Sequence, residues 1–263
     1  MLSGNQNSAY RRLIDLGILR CGYTPWPVLL DVDPKSKGPS GVFFDYTNEL
    51  ARVLDIKIEW VEEMSFAQMP DALNEGRIDI HSSGAWTNPI RGKLADNVIP
   101  ISYEHINAFV RADETRFEDS LPDINSPDVR VSVIDGESSE AIYFASYPRA
   151  TAIRLAPASA GGQMLSDLVS GKADVAFTDP LTFHRFVEKH PGKIKQVKSK
   201  FPVQVYGSPI WVKKGEVELK NTLNVATMQL INDGTIETIL SKHEPVKGMF
   251  LRPNPSFLSV VGL

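Results

Sequence analysis

An α/β fold in two similarly built lobes, each a mostly parallel sheet flanked by helices, is what this 263-residue sequence predicts. Three observations carry that expectation. First, β-like runs alternate with amphipathic helical runs along nearly the whole chain, the order that builds βαβ units and parallel sheets. Second, one stretch echoes another: LNEGRIDIHSSG (73–84) and LVSGKADVAFTD (168–179) share the form L-x-x-G-K/R-A/I-D-I/V. Third, at roughly 150 residues per domain the length allows two modest domains. The echo implies two lobes that each present the carboxyl end of a strand, where α/β sheets bind ligands. Its alternative is convergence on common helix–glycine–strand chemistry.

The elements follow in order. YRRLIDLG (10–17) reads as a short helix stopped by Gly17, and ILRCGY (18–23) as a strand. A Pro/Gly/Lys loop (31–41) leads to a helix with Asp45 where an N-cap belongs and Leu50, Val53 and Leu54 at helical spacing. IKIEWV (56–61) alternates strictly, hence a strand; residues 66–76 form a helix despite Pro70, and 77–84 a strand running into a small-residue turn. In the second half, VRVSVIDG (129–136) is a strand, SEAIYFASY (139–147) a helix and AIRLA (152–156) a strand. Residues 161–179 read as helix, glycine stop and strand. Residues 204–215 are strand-like with Pro209 as an edge or bend, and 218–243 are two helices split by Asp233-Gly234.

Composition narrows the function. Hydrophobic residues make up 42% and charged residues 23%, enough for a real core and against disorder. The net charge of −4 lacks the basic surplus of a chain that lives on phosphate backbones, so nucleic acid is not an expected partner. A single cysteine, Cys21, leaves no intrachain disulfide and no multi-cysteine zinc site. The five histidines lack metal-ligand spacing, and the phosphate-loop, dinucleotide and nucleophile-elbow motifs are absent, so neither metal nor cofactor is expected. The start, MLSGNQNSAYRR, lacks the basic and apolar regions of a secretory signal.

Two turns carry binding chemistry. In SSGAWTNPIRGKLADN (82–97), small Ser83 and Gly84 let backbone N–H groups approach a ligand, and Arg91 follows closely. A guanidinium beside free N–H donors suits a carboxylate, which it grips with two parallel bonds. The alternative is that Arg91 pairs with Asp96 or another surface acid. In FTDP (177–180), Asp179 at a strand end would receive an ammonium group; the alternative is a helix N-cap or turn residue.

Here the sequence resembles a family, the type II extracytoplasmic solute-binding proteins in their amino-acid-binding branch, family 3, which serves ABC importers. The resemblance covers about residues 10–244 as an ordered series of blocks. ILRCGYTPW stands at the family's opening strand, and GVFFDYTNELARVLDIKIEWV at its G-F-x-x-D, helix and strand block. MPDALNEGRIDIHSSGAWTNPIRGKLADNV corresponds to L-P-A-L-x-x-G-K/R-V/I-D followed by T-P-E-R-x-x-x-x-D. VRVSVIDGESSEAI, SGKADVAFTD and the strand and helix pair of 206–243 complete the order.

The resemblance implies a two-lobed periplasmic-binding-protein-like fold. Residues 1–108 and 207–263 would form lobe 1 and 109–206 lobe 2, joined by two crossover strands near His105–Arg111 and Val203–Pro209. It implies that the lobes close by a hinge on a small amino-acid-like carboxylate for an ABC permease, without covalent chemistry. By position Arg91 falls on the carboxylate clamp, Asp179 on the acid that holds the α-ammonium, and Ser83, Gly84 and Ser138 on further carboxylate donors. The departures are local. Trp86 stands where the family has Ser or Thr, with Thr87 beside it as a substitute donor, and Asn88 replaces the Thr of T-P-E-R. Tyr23, Trp26 and Trp86 would stack on a planar or apolar part of the ligand; the alternative is packing between loops. A periplasmic or otherwise extracytoplasmic monomer is expected, its signal removed. Three other roles share or mimic this architecture. They are a cyclohexadienyl-dehydratase-like enzyme using Glu137 or Asp179 as a general acid, the sensor of a membrane receptor, and a regulator's effector domain. The tail after Pro245 suggests a strap across a lobe or a linker.

Overall fold

The computed structural model describes residues 8–32, 39–118, 120–156 and 159–253. In chain order the elements begin α1 (Ala9–Leu16), β1 (Ile18–Tyr23), α2 (Val42–Leu54), β2 (Lys57–Glu63), α3 (Met69–Asn74) and β3 (Ile80–His81). Next come α4 (Pro89–Leu94), β4 (Ala95–Asn97), β5 (Ser102–Arg111), a 3-10 turn (Leu121–Ile124), β6 (Arg130–Ile134), α5 (Ser138–Ser146) and β7 (Thr151–Leu155). Then follow α6 (Gly161–Val169), β8 (Val175–Thr178), α7 (Pro180–Lys189), β9 (Ile194–Gln196), β10 (Gln204–Ser208) and β11 (Trp211–Lys213). Helices α8 (Val217–Asn232) and α9 (Thr235–His243) and strand β12 (Phe250–Leu251) complete the series.

The chain divides into two compact units. One takes the described residues up to Tyr103, Tyr206–Glu244 and those from Phe250; the other takes Glu104–Val205 and Pro245–Met249. Strands β5 and β10 carry the chain from one unit to the other. The first sheet has the order β2-β1-β3-β11-β4, and the second β10-β5-β8-β6-β7 with β9 also on β5.

Both sheets are mixed rather than mostly parallel. In the first, β1 runs parallel to β2 and β3, while β11 runs antiparallel to β3 and β4. In the second, β6 is parallel to β7 and β8, while β5 is antiparallel to β8 and β9. The parallel trios are the strands that crossover helices join, because a helix packed on a sheet returns the chain in the same direction. Strand β5 carries the chain between units and β11 follows that return directly, so no crossover helix dictates their direction.

Several boundaries differ from expectation. Helix α2 starts at Val42 on Gly41, so Asp45 lies inside its first turn instead of capping it. An acid is favoured at both places, and pattern alone does not separate them. Gly41 decides it: its φ is 111°, and a Cβ there would lie 2.9 Å from two backbone carbonyl oxygens. Asp45 instead accepts from Lys242 Nζ at 2.7 Å and His243 Nε2 at 2.8 Å. Burial raises its carboxyl, but the hydrogen bonds from Lys242 and His243 outweigh burial and hold it below the usual range. The run at 204–215 is broken around Pro209 and Ile210, and the strand after Gly76 shrinks to Ile80–His81. Of the tail, residues up to Pro253 are described, and 254–263 lie outside the described residues.

The sequence echo is a structural one. Asp79 accepts from the Arg20 backbone N–H at 2.9 Å and from its guanidinium at 2.8 Å, while Arg20 also donates to Gly76 O. Asp174 accepts from the Arg130 backbone N–H at 2.9 Å and from its guanidinium at 3.0 Å, while Arg130 donates to Gly171 O. In each unit an arginine on the middle strand thus ties the helix-ending glycine to the acid that opens the neighbouring strand. Around these ties lie separate cores: Met69, Leu73, Ile78 and Trp211 in the first unit, Phe109, Leu165, Leu168 and Phe186 in the second. Cys21 is fully buried and free, and burial pushes its thiol up.

Candidate ligand-binding site

In the first unit β1 and β3 run side by side in parallel, so the turns after Tyr23 and His81 leave from one edge. The Thr24 N–H donates to Ser83 Oγ at 2.9 Å, and Ser83 Oγ donates to Ser82 O at 2.7 Å. Gly84 has φ 69°, and a Cβ there would lie 2.5 Å from the Phe43 ring. Both conditions demand glycine and hold the 82–84 backbone close to the sheet end.

Arg91 lies in α4, whose N-cap Asn88 accepts the Arg91 N–H at 2.7 Å. The Asn that departs from T-P-E-R is therefore a working cap. The Arg91 guanidinium donates to Trp86 O and lies 6.0 Å from the Phe66 ring centroid and 5.7 Å from that of Trp211. Among the described residues it forms no ion pair; Asp96, the alternative partner, accepts from Lys214 Nζ at 2.7 Å and from the Gly215 N–H instead. Burial lowers the Arg91 pKa, the mark of a cation held partly out of water without an acid to offset it.

The aromatic residues divide. Trp26 lies 5.1 Å from Phe66 and 5.6 Å from Trp86, and Trp86 stacks on Tyr206 at 4.9 Å. Tyr23 turns elsewhere, edge-on to Trp60 at 5.8 Å. Thr87 exchanges bonds with Gly207: its N–H donates to Gly207 O at 2.9 Å, and its hydroxyl accepts the Gly207 N–H at 3.2 Å. Among the described residues the Thr87 hydroxyl donates to no acceptor.

In the second unit the parallel strands β6 and β8 again end at one edge, with Ser138 opening α5 and Asp179 capping α7. Asp179 accepts from Thr182 N–H at 2.9 Å and Thr182 Oγ1 at 2.7 Å, so the N-cap role is real, and among the described residues no cation pairs with it. Ser138 is half-buried. Glu137 beside it is the exposed N-cap residue of α5 and makes no side-chain cap bond. A separate concavity of about 730 Å³ lies at the amino end of β1, lined by Arg12, Arg20, Asp79 and Lys214, and neither Arg91, Asp179 nor the aromatic residues above line it. Among the described residues no cluster of three His, Cys, Asp or Glu could hold a metal.

Sequence reasoning missed Phe66, Tyr206, Trp211 and His81. Of these His81 is the least expected, because its ring is fully buried beside Phe66. Thr24 donates its own hydroxyl proton to Met64 O at 2.7 Å, so its oxygen receives the His81 Nε2–H at 3.0 Å. That fixes the tautomer and leaves Nδ1 a bare acceptor with no partner among the described residues. Burial, helped by the charge of Arg91, pushes the His81 pKa down to about 3. A depressed histidine binds its proton first in the unfolded chain. Its share of stability is therefore full above about pH 6.5 and lost as pH falls toward 3. His81→Gln is expected to flatten this acid limb, narrowing the loss between pH 7 and pH 4 by roughly 3 kcal/mol. Urea titrations at the two pH values would measure it, and parallel acid limbs would refute it.

Comparison with known proteins follows the same lines. Residues 19–245 match the family described as bacterial extracellular solute-binding proteins, family 3. The amino-acid-binding protein AabA of Dichelobacter nodosus is 26% identical over 229 residues, 84% of this chain and 86% of its own. The crystal structure of the ancestral amino acid-binding protein AncCDT-1, a precursor of cyclohexadienyl dehydratase, is 26% identical, with a TM-score of 0.67 over 89% of this chain and 98% of that one. AncCDT-1 is also described as an ancestral cationic amino acid solute-binding protein. A putative ABC-transporter binding component from Wolinella succinogenes, complexed with lysine, has a TM-score of 0.69 at 19% identity over 93% of this chain and 99% of that one. That last likeness concerns the fold, the two-lobed α/β architecture of type II periplasmic binding proteins. Among the described residues no helix is long and apolar enough to cross a membrane. With a family match that runs from β1 past the end of α9, the chain belongs to the bacterial extracellular solute-binding proteins, family 3.

Proposed function

We propose that this chain captures a small amino-acid-like carboxylate outside the cytoplasm and delivers it to the permease of an ABC importer. The observation that carries the reading is Arg91, a half-buried guanidinium with no acid partner among the described residues. A cation kept so is desolvated in advance, and a carboxylate that meets it restores the lost solvation with two parallel hydrogen bonds. The Thr87 hydroxyl proton and the tight 82–84 backbone add donors from the same unit. Asp179 of the second unit would take the α-ammonium: both its oxygens act as acceptors, and three hydrogen bonds leave a carboxylate room for one more donor. The amino-acid binding described for AabA and AncCDT-1 agrees with this chemistry.

The test is native mass spectrometry of the purified protein for a co-purified solute, followed by thermal melts with each of the common amino acids. At a hundredfold excess over Kd a specific ligand stabilises the folded chain by about 2.7 kcal/mol, an easily read rise in Tm. A flat response to every amino acid at millimolar concentration would refute the proposal.

A further inference from the structure

The rings beside Arg91 are organised in a way that a carboxylate grip alone does not require. Trp26, Phe66, Trp86 and Tyr206 come from four separate segments and form one continuous run, with centroids 5.1, 5.6 and 4.9 Å apart along the order Phe66–Trp26–Trp86–Tyr206. The last pair is parallel to within 5°. None of the four is buried as a core residue; each keeps part of its surface in water. Rings that only filled a core would be covered, and a contiguous, half-open aromatic surface next to a desolvated cation is the make-up of a small-molecule site.

The charge at this surface narrows the ligand further. Arg91 lies over the Phe66 end of the run, 6.0 Å from that ring's centroid, and among the described residues it has no acid partner. A flat ring offers such a run the largest stacking contact, with an attraction beyond plain burial of its area. We infer that the solute carries an uncharged aromatic side chain, stacked on the Trp26–Trp86 run while its carboxylate meets Arg91. This rests on the reading of Arg91 as the carboxylate grip.

Calorimetric titration of the whole chain with phenylalanine, tyrosine and tryptophan, against leucine, arginine and lysine, tests it. Ring stacking beyond plain burial predicts that at least one aromatic amino acid binds about tenfold or more tighter than leucine, and tighter still than arginine or lysine. Trp86→Leu is expected to erase most of that tenfold margin between the aromatic amino acids and leucine. Tyr206→Leu provides a second variant should Trp86→Leu fail to fold. Arginine, lysine or leucine binding as tightly as the best aromatic amino acid would overturn this inference and leave the Arg91 reading intact. Binding of no amino acid at all would overturn both.

Discussion

Arg91→Ala is expected to cut affinity for the captured amino acid by about 2–5 kcal/mol, at least thirtyfold, while the unliganded protein stays folded. The two halves of that result come from different physics. Without ligand, Arg91 gives the fold one hydrogen bond to Trp86 O and ring contacts with Phe66 and Trp211, and it pays for its burial in lost hydration. These nearly offset one another, because no acid partner is left stranded when the cation goes. With ligand bound, the same deletion strands a carboxylate against rings and backbone, and the whole desolvation penalty of that anion falls on the complex. Arg91→Lys separates charge from geometry: it restores the cation but not the planar fork, so its affinity should fall between the other two. Titration calorimetry measures the affinities and scanning calorimetry without ligand measures the fold. An Arg91→Ala protein that binds as tightly as the parent would end the carboxylate-grip reading.

What was legible in the sequence was local, and what was not was distant. Alternating strand and helix patterns, glycine stops and the Asp233-Gly234 break each lie within a few residues, and the helices and strands they mark are present. The echo revealed Asp79 and Asp174, but not the arginines that hold them, which lie 59 and 44 residues away in the chain. The open question over Arg91 had the same cause. Asp96 is five residues from it, yet the partner Asp96 takes is Lys214, 118 residues on. Phe66 read as the start of a helix over 66–76, which begins at Met69 instead, and Trp211 as an ordinary strand residue, and nothing near either announces a guanidinium over its ring. His81 was weighed only as one of five histidines without metal-ligand spacing; its burial follows from a position between β1 and β11 that only the sheet order reveals.

Asp79→Ala is expected to destabilise the first unit by about 3–5 kcal/mol, more than Asp174→Ala destabilises the second, although both acids belong to the same repeated device. Each deletion orphans a backbone N–H on a central strand, that of Arg20 or Arg130, and releases arginine side chains: Arg12 and Arg20 from Asp79, and Arg111, Arg116 and Arg130 from Asp174. The difference lies in where those arginines go. Arg12 and Arg20 are 28% and 26% exposed and depend on Asp79 for their compensation. Arg116 and Arg130 are 46% and 41% exposed, so water takes over much of what Asp174 supplied, while Arg111, 28% exposed and 3.9 Å away, keeps Asp113 and Glu114 as partners. Asparagine at position 79 should recover part of the loss, since its carbonyl oxygen still accepts the Arg20 N–H. The chain supplies its own unit-specific probe. All four tryptophans, Trp26, Trp60, Trp86 and Trp211, belong to the first unit, so their fluorescence follows that unit while circular dichroism follows both. Asp79→Ala should therefore move the urea midpoint seen by fluorescence, and Asp174→Ala should move the dichroism transition further than the fluorescence one. A fluorescence midpoint unmoved by Asp79→Ala would mean that the buried carboxylate is held as weakly as a surface pair, and that the repeat is a matter of sequence alone.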